Sequence, residues 1–232
     1  MILKFKIILP VFVLLIIIIP LSVYSAVNNS NQSLNATNSS LIINNNLSEN
    51  NTTLLNVPDV YQPSYSSSGP TGLQAVLSYY GTNIGVDELI NMTNTTENGT
   101  IPRNIADAAV KLGFNSVVKE NMTLGDLQQY INQGTPVIVY AQAWKNNQTN
   151  AQNWTADQID GHYMVVIGID TSNVYFEDPS ILGSRGYIVN QEFLNRWHDT
   201  YQAINGSNIT NNNLGIIIIG KPVVHPLLLQ IE

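Results

Sequence analysis

Four short runs rich in β-branched and apolar residues constrain the fold most: "TPVIVYAQAW", "HYMVVIGID", "SNVYFEDP" and "LGIIIIGKPVV". Each is bounded by Gly, Pro, Asn or Asp, the pattern of a strand between turns. All lie after Gly134, whereas the preceding stretch has helical periodicity. In "TGLQAVLSYYG", Leu73, Val76, Leu77 and Tyr80 fall at i, i+3, i+4 and i+7, and Gly81 supplies the stop. "RNIADAAVKLGF" repeats the stripe with Ile105, Ala108, Ala109 and Leu112. "TLGDLQQYINQG" opens on a capping Thr123 with Asp126 three residues on, and closes at Gly134. A short helix, "NQEFLNRW", separates the last two strands. Helices first and strands afterwards predict an α+β domain, its antiparallel sheet packed on an N-terminal helical layer.

That domain is expected to span 56–232. Residues 1–26 carry two lysines, then an apolar run over 7–23 and small residues at Ser25 and Ala26, the pattern of a secretory signal. The run is at the short edge of what spans a bilayer, so an uncleaved membrane anchor is the alternative. Either way the remainder is predicted to be exported to the cell surface or beyond, touching membrane only through this segment. Residues 27–55 are rich in Asn and Ser and too polar to bury a core, which predicts a disordered stalk. N-x-[ST] acceptors recur at Asn35, Asn38, Asn46 and Asn51, and again at Asn91, Asn121, Asn153 and Asn208. They mark exposed glycosylation sites in an exported chain, though an Asn-rich sequence also generates the motif by chance.

Composition narrows the function. Only 11% of the 232 residues are charged and the net charge is −7, without a basic cluster of the kind nucleic acid demands. The chain has no cysteine, hence no disulfide, thiolate metal site or thiol nucleophile. His162, His198 and His225 are too scattered for a metal centre, and no cofactor is implied.

Within "YQPSYSSSGPTG", Ser68 stands at a helix start, with Gly69 allowing close approach and Pro70 suited to the first turn. A serine there faces unpaired backbone N–H groups and the positive end of the helix dipole. As a local feature it is an ordinary cap, and Ser66 and Ser67 read as loop filler. A nucleophilic serine also needs a base. His162 opens one strand and Asp178 closes the next. An odd loop near 171–173 puts even-numbered positions of both strands on one face, and a bulge or strong twist must then bring the two side chains together. The bland alternatives are a strand-end histidine and a turn-initiating Asp-Pro. His198 and Asp199 form a second conceivable pair; on a late helix, adjacent residues diverge, so both are assigned to the surface. Trp144 and Trp154 sit in a polar loop before His162 that reads equally as a groove wall or as plain surface.

Gln62, the Ser68-Gly69-Pro70 helix start six residues later, "LSYYG" closing that helix, "GH" opening a strand and "DP" closing the next together resemble a papain-like cysteine peptidase domain. The likeness is closest to the peptidases that process bacteriocin leaders after a double glycine, and it covers Asn56 to Ile219. "LGDLQQYINQGTPVIV" and "GYIVNQEFLNRW" resemble the flanking segments. The resemblance implies that Gln62 matches the oxyanion-hole glutamine, His162 the general base and Asp178 the group that orients it. Ser68 falls where that family carries its nucleophilic cysteine. Three functions follow: a degenerate peptidase that binds a peptide or surface partner without cleaving it, a serine hydrolase using Ser68, His162, Asp178 and Gln62, or a structural surface module. Oligomeric state is left open.

Overall fold

A computed structural model describes Thr52 and residues 54–145, 153–203 and 205–224. The N-terminal apolar run, most of the stalk with its four acceptors, residues 146–152 and His225 lie outside the described residues.

The expected helices form as α1 (Ser68–Tyr79), α3 (Pro102–Lys111), α4 (Leu124–Asn132) and α5 (Asn190–Arg196), with an additional short α2 (Val86–Met92). The reciprocal cap of α4 is present: Thr123 Oγ1 accepts the Asp126 N–H, and the Asp126 carboxylate accepts the Thr123 N–H. The expected strands are β2 (Val137–Gln142), β3 (Gly161–Ile169), β4 (Asn173–Glu177) and β8 (Gly215–Ile219). The others are β1 (Asn115–Lys119), β5 (Gly186–Val189) and the hairpin of β6 (His198–Gln202) and β7 (Asn208–Asn212). Six strands make one antiparallel sheet in the order β1-β8-β2-β3-β4-β5, and β6-β7 stand as a separate pair.

The sheet is covered on both faces, which explains why its central strands are almost continuously apolar. Side chains alternate faces along a strand. Tyr163, Val165 and Ile167 of β3, with Ile138 and Ile216, pack against Leu73, Val76 and Leu77 of α1 and against α2 and α3. Met164 and Val166, with Val137, Val139 and Ile217, pack against Leu127 of α4, Phe193 of α5 and Trp197. The N-terminal helical layer is therefore as expected, and α4 and α5 add a second one.

The β3–β4 pairing has one irregularity. Ile169 pairs Val174 and Gly168 pairs Tyr175, but Val166 pairs Phe176 and Val165 pairs Glu177, so Ile167 is an extra residue on β3. Four residues lie between Ile169 and Val174, so the odd loop that the sequence argument required is not there. The bulge restores the parity instead. Continuing the register beyond it sets Asp178 opposite Met164, two residues along from His162 and on its side of the sheet.

The segment entering α1 is fastened to this strand pair. Glu177 at the end of β4 is fully buried; its Oε1 accepts the Val60 N–H at 3.0 Å and its carboxylate pairs with Arg185, which also donates to the Val57 carbonyl. Breaking a buried pair from one side strands a charge. Arg185→Met is expected to destabilise the domain by about 3 kcal/mol in urea denaturation. Adding Glu177→Gln, which removes the charge but keeps an acceptor for Val60, should recover more than half of the loss.

Asp170 ties the turn between β3 and β4. It accepts from the Ser172 and Asn173 N–H groups and from the Tyr175 hydroxyl, which hold its carboxyl down at about 2. A depressed carboxyl stabilises the fold above its unfolded value of about 3.9 and loses that contribution as pH falls through the folded one. The Tm gap between the native chain and Asp170→Asn should hold at neutral pH and close as pH falls from about 4 to about 2.

Candidate active site

Ser68 is the first residue of α1, one position after the N-cap Ser67, and is buried. Ser67 is not filler: it is fully buried and bonds back to Ser64, whose backbone N–H it accepts and to whose carbonyl it donates. This reciprocal cap closes a 3-10 turn, Tyr65–Ser67, directly ahead of α1. Gly69 is closely packed: a Cβ there would lie 2.9 Å from Ile105 Cδ1 and 3.1 Å from Thr100, so either neighbour would have to shift. Gly72 rests against Val165 of β3. The helix start is thereby pressed onto the strand that carries His162. Ser68 Oγ accepts the backbone N–H of Tyr163, the residue after His162, at 3.3 Å. Among the described residues no hydrogen bond joins Ser68 to the His162 ring.

His162 and Asp178 are brought together. Both are buried, and His162 Nε2 lies 2.7 Å from Asp178 Oδ1. In the neutral ring Nε2 carries the proton toward the carboxylate, leaving the Nδ1 lone pair as the basic position. Asp178 is itself fixed: Oδ1 also accepts the Ser180 N–H at 2.9 Å and Oδ2 accepts the Trp144 indole N–H at 3.0 Å. It initiates the turn at Pro179, with the Ile181 N–H on its carbonyl, so the turn-former and the imidazole partner are one residue. Three donors on one carboxylate hold it in one orientation.

Gln62 is anchored beside this turn. Its backbone N–H donates to the Pro179 carbonyl at 2.9 Å, while its side-chain Nε2 reaches the Tyr65 carbonyl at 3.4 Å. Its buried Oε1 has no hydrogen-bond partner. The chain thus brings Gln62 to the Asp178 turn and Ser68 to the edge of β3 next to His162.

Two features were not legible in the sequence. Trp144 belongs to the pair through its bond to Asp178, while half exposed and in the left-handed backbone region at φ 55°. No motif announces such a contact. Trp154 instead lies between two cations, with Lys145 Nζ and the Arg196 guanidinium 4.1 and 3.7 Å from its ring centroid. The second feature overturns the assignment of His198 and Asp199 to a helix surface. The helix ends at Arg196, both residues belong to β6, and Asp199 is 2% exposed. Its Oδ1 accepts from Gln142 Nε2 at 2.8 Å and from the Thr200 N–H at 2.7 Å. Gln142, fully buried, also accepts the Asp160 N–H, so it couples β6 to the residues that lead into His162. The available signal was Gly161: a Cβ there would sit 1.6 Å from Asp199 Oδ2.

A cleft of about 330 Å³ opens beside Ser68, floored by Tyr140, Gly161 and Tyr163 and walled by Tyr65, Thr100 and Asp199. Among the described residues no group of three metal-ligating side chains converges. An oriented imidazole, a helix-start hydroxyl and an adjoining cleft are the parts of an acyl-transfer site.

The fold has solved counterparts. A Bacillus anthracis protein assigned as a C39-like peptidase superposes with a TM-score of 0.56 at 18% identity, over 74% of this chain and 99% of that one. A double glycine motif protease from an AMS/PCAT transporter, solved with the leader peptide, gives 0.50 at 17%, over 73% and 94%. The peptidase domain of Streptococcus ComA, a bifunctional ABC transporter, gives 0.49 at 24%, over 70% and 97%. Among curated proteins none matches. The sequence model of the Peptidase_C39 like family matches residues 54–205, most of the described domain, and the chain belongs to that family.

Proposed function

We propose that this is an exported domain that binds a peptide segment in the cleft beside Ser68 and does not cleave it. The observation that carries the proposal is the environment of Ser68: its oxygen accepts the Tyr163 amide at 3.3 Å, and among the described residues no hydrogen bond carries its proton to the His162 ring. A hydroxyl becomes a nucleophile only as its proton leaves for a base. A helix terminus contributes only ~1 kcal/mol, less than one pKa unit, whereas an alkoxide needs many. A thiol, with a pKa of about 8.5, can be taken to thiolate by such a site. On the family resemblance, Ser68 occupies the thiol's position, and the cysteine-free chain offers no substitute. Occupancy of the cleft by peptide is inferred from the family and from the relative solved with a leader peptide. Export, by the N-terminal apolar run acting as signal or anchor, belongs to the same proposal.

One observation favours a working serine hydrolase: the His162–Asp178 pair is short, buried and held by Trp144 and Ser180. A chain released from catalysis has no evident need for that arrangement.

A fluorophosphonate serine-hydrolase probe separates the two. The native chain is expected to label no more than Ser68→Ala; labelling that disappears in Ser68→Ala would establish the hydrolase. Ser68→Cys is expected to gain a thiol alkylated by iodoacetamide well below the ordinary cysteine pKa, together with hydrolysis of Gly-Gly-containing peptides. A thiol that titrates normally and leaves such peptides intact would show that more than one atom separates this site from activity.

A further inference from the structure

The cleft beside Ser68 has a sign. Two carboxylates line it, Glu97 and Asp199, and no Lys or Arg does so among the described residues. Asp199 is the unusual one. Its Oδ1 is taken by Gln142 and Thr200 and the Tyr140 hydroxyl also bonds this carboxylate, while Oδ2 lies over Gly161, where a Cβ would sit 1.6 Å from it; its partners are thus neutral groups and none is a cation. Two further carboxylates, Asp157 and Asp160, precede Gly161 in the chain and act on Tyr65, which lines the cleft. Asp157 is 3% exposed, and its buried Oδ2 has no hydrogen-bond partner. Asp157, Asp160 and Asp199 all act on the Tyr65 hydroxyl at the cleft mouth, which burial and then these three charges push above its ordinary value. Burial likewise pushes the Asp199 carboxyl up, against the bonds from Tyr140, Thr200 and Gln142 and the nearby His198 ring.

Cations of the neighbouring segments are engaged elsewhere. Lys145 and Arg196 lie over Trp154, and Arg196 also pairs with Glu192. His198 has Nε2 facing the carbonyls of Trp154 and Asn195 and Nδ1 facing Gln158. The negative charge around the cleft is thus without a protein cation lining it. A desolvated carboxylate is costly unless paired, so a ligand that supplies the cation gains where a neutral one does not. The net charge of −7 steers cationic ligands toward the chain and repels anionic ones.

We propose that the cleft selects peptides carrying a lysine or arginine side chain at the position lying against Asp199 and Glu97. This rests on the peptide-binding reading above and specifies its ligand.

The test uses the full chain and isothermal titration calorimetry with N-acetylated, C-amidated peptides of about ten residues, so that terminal charges play no part. One Gly-Gly-containing sequence is made with Lys, Gln or Glu at each position in turn. At one position Lys is expected to bind about tenfold tighter than Gln, with Glu weakest, and added salt should shrink the difference. Asp199→Asn, which keeps an acceptor for Gln142 and Thr200, should cut the Lys-over-Gln ratio to about twofold or less. Glu97→Gln, an exposed change that cannot disturb the core, should lower it in the same direction. Equal binding of Lys, Gln and Glu at every position, or a ratio unchanged in both variants, overturns the charge selectivity and leaves peptide binding standing. Failure of every peptide to bind overturns both.

Discussion

One inserted residue governs the candidate site. Ile167 breaks the β3–β4 register, and everything on the far side of the bulge changes faces relative to a regular hairpin. Without it Asp178 would pair across from Val165 and share a face with the odd-numbered residues of β3. With it, Asp178 shares a face with Met164 and His162, and the 2.7 Å contact becomes possible. The core records the same switch: Val166 and Ile169, three apart, both pack on the α4 and α5 side. Burial on both faces fixes this register firmly, since any slip would exchange the two apolar sets.

Around that strand pair the remaining parts are placed by short tethers. Glu177 and Arg185 hold the segment before Gln62, and the Pro179 carbonyl holds Gln62 itself. The missing side chain at Gly69 lets α1 close on Thr100 and Ile105. Asp199 and Gln142 brace the backbone at Asp160 and Gly161, immediately before His162. The geometry around the imidazole is thus closely braced, and on the proposed reading the Ser68 hydroxyl is the component whose chemistry does not match.

Much of this was legible in advance because it follows from periodicity and capping. The 3.6-residue stripe of α1, the Thr123–Asp126 cap and the four apolar strands are local signals. The parity argument named His162 and Asp178 through an odd loop that is not there, and the bulge at Ile167, which no local signal marks, supplies the parity instead. What escaped was decided by tertiary context. The β6–β7 hairpin is polar and half exposed, so it lacks an apolar alternation; its one local mark, Asn205-Gly206, lies in an Asn-rich stretch where such pairs are common. Asp199 reads as a surface residue until Gly161 and Gln142 are folded against it. Ser67 reads as filler because its partner is a backbone group three residues away. The indole of Trp144 reaches Asp178 across 34 residues, which no spacing rule anticipates.

The central claim is that the cleft retains its ligand while Ser68 leaves it intact. The most direct measurement incubates the chain with an excess of a cleft-binding peptide for a day. Native mass spectrometry then reads complex formation, and intact mass reads the peptide. The account predicts a complex whose peptide keeps its full mass, with no acyl adduct on the protein. Fragments that accumulate with the native chain and vanish with Ser68→Ala would contradict it.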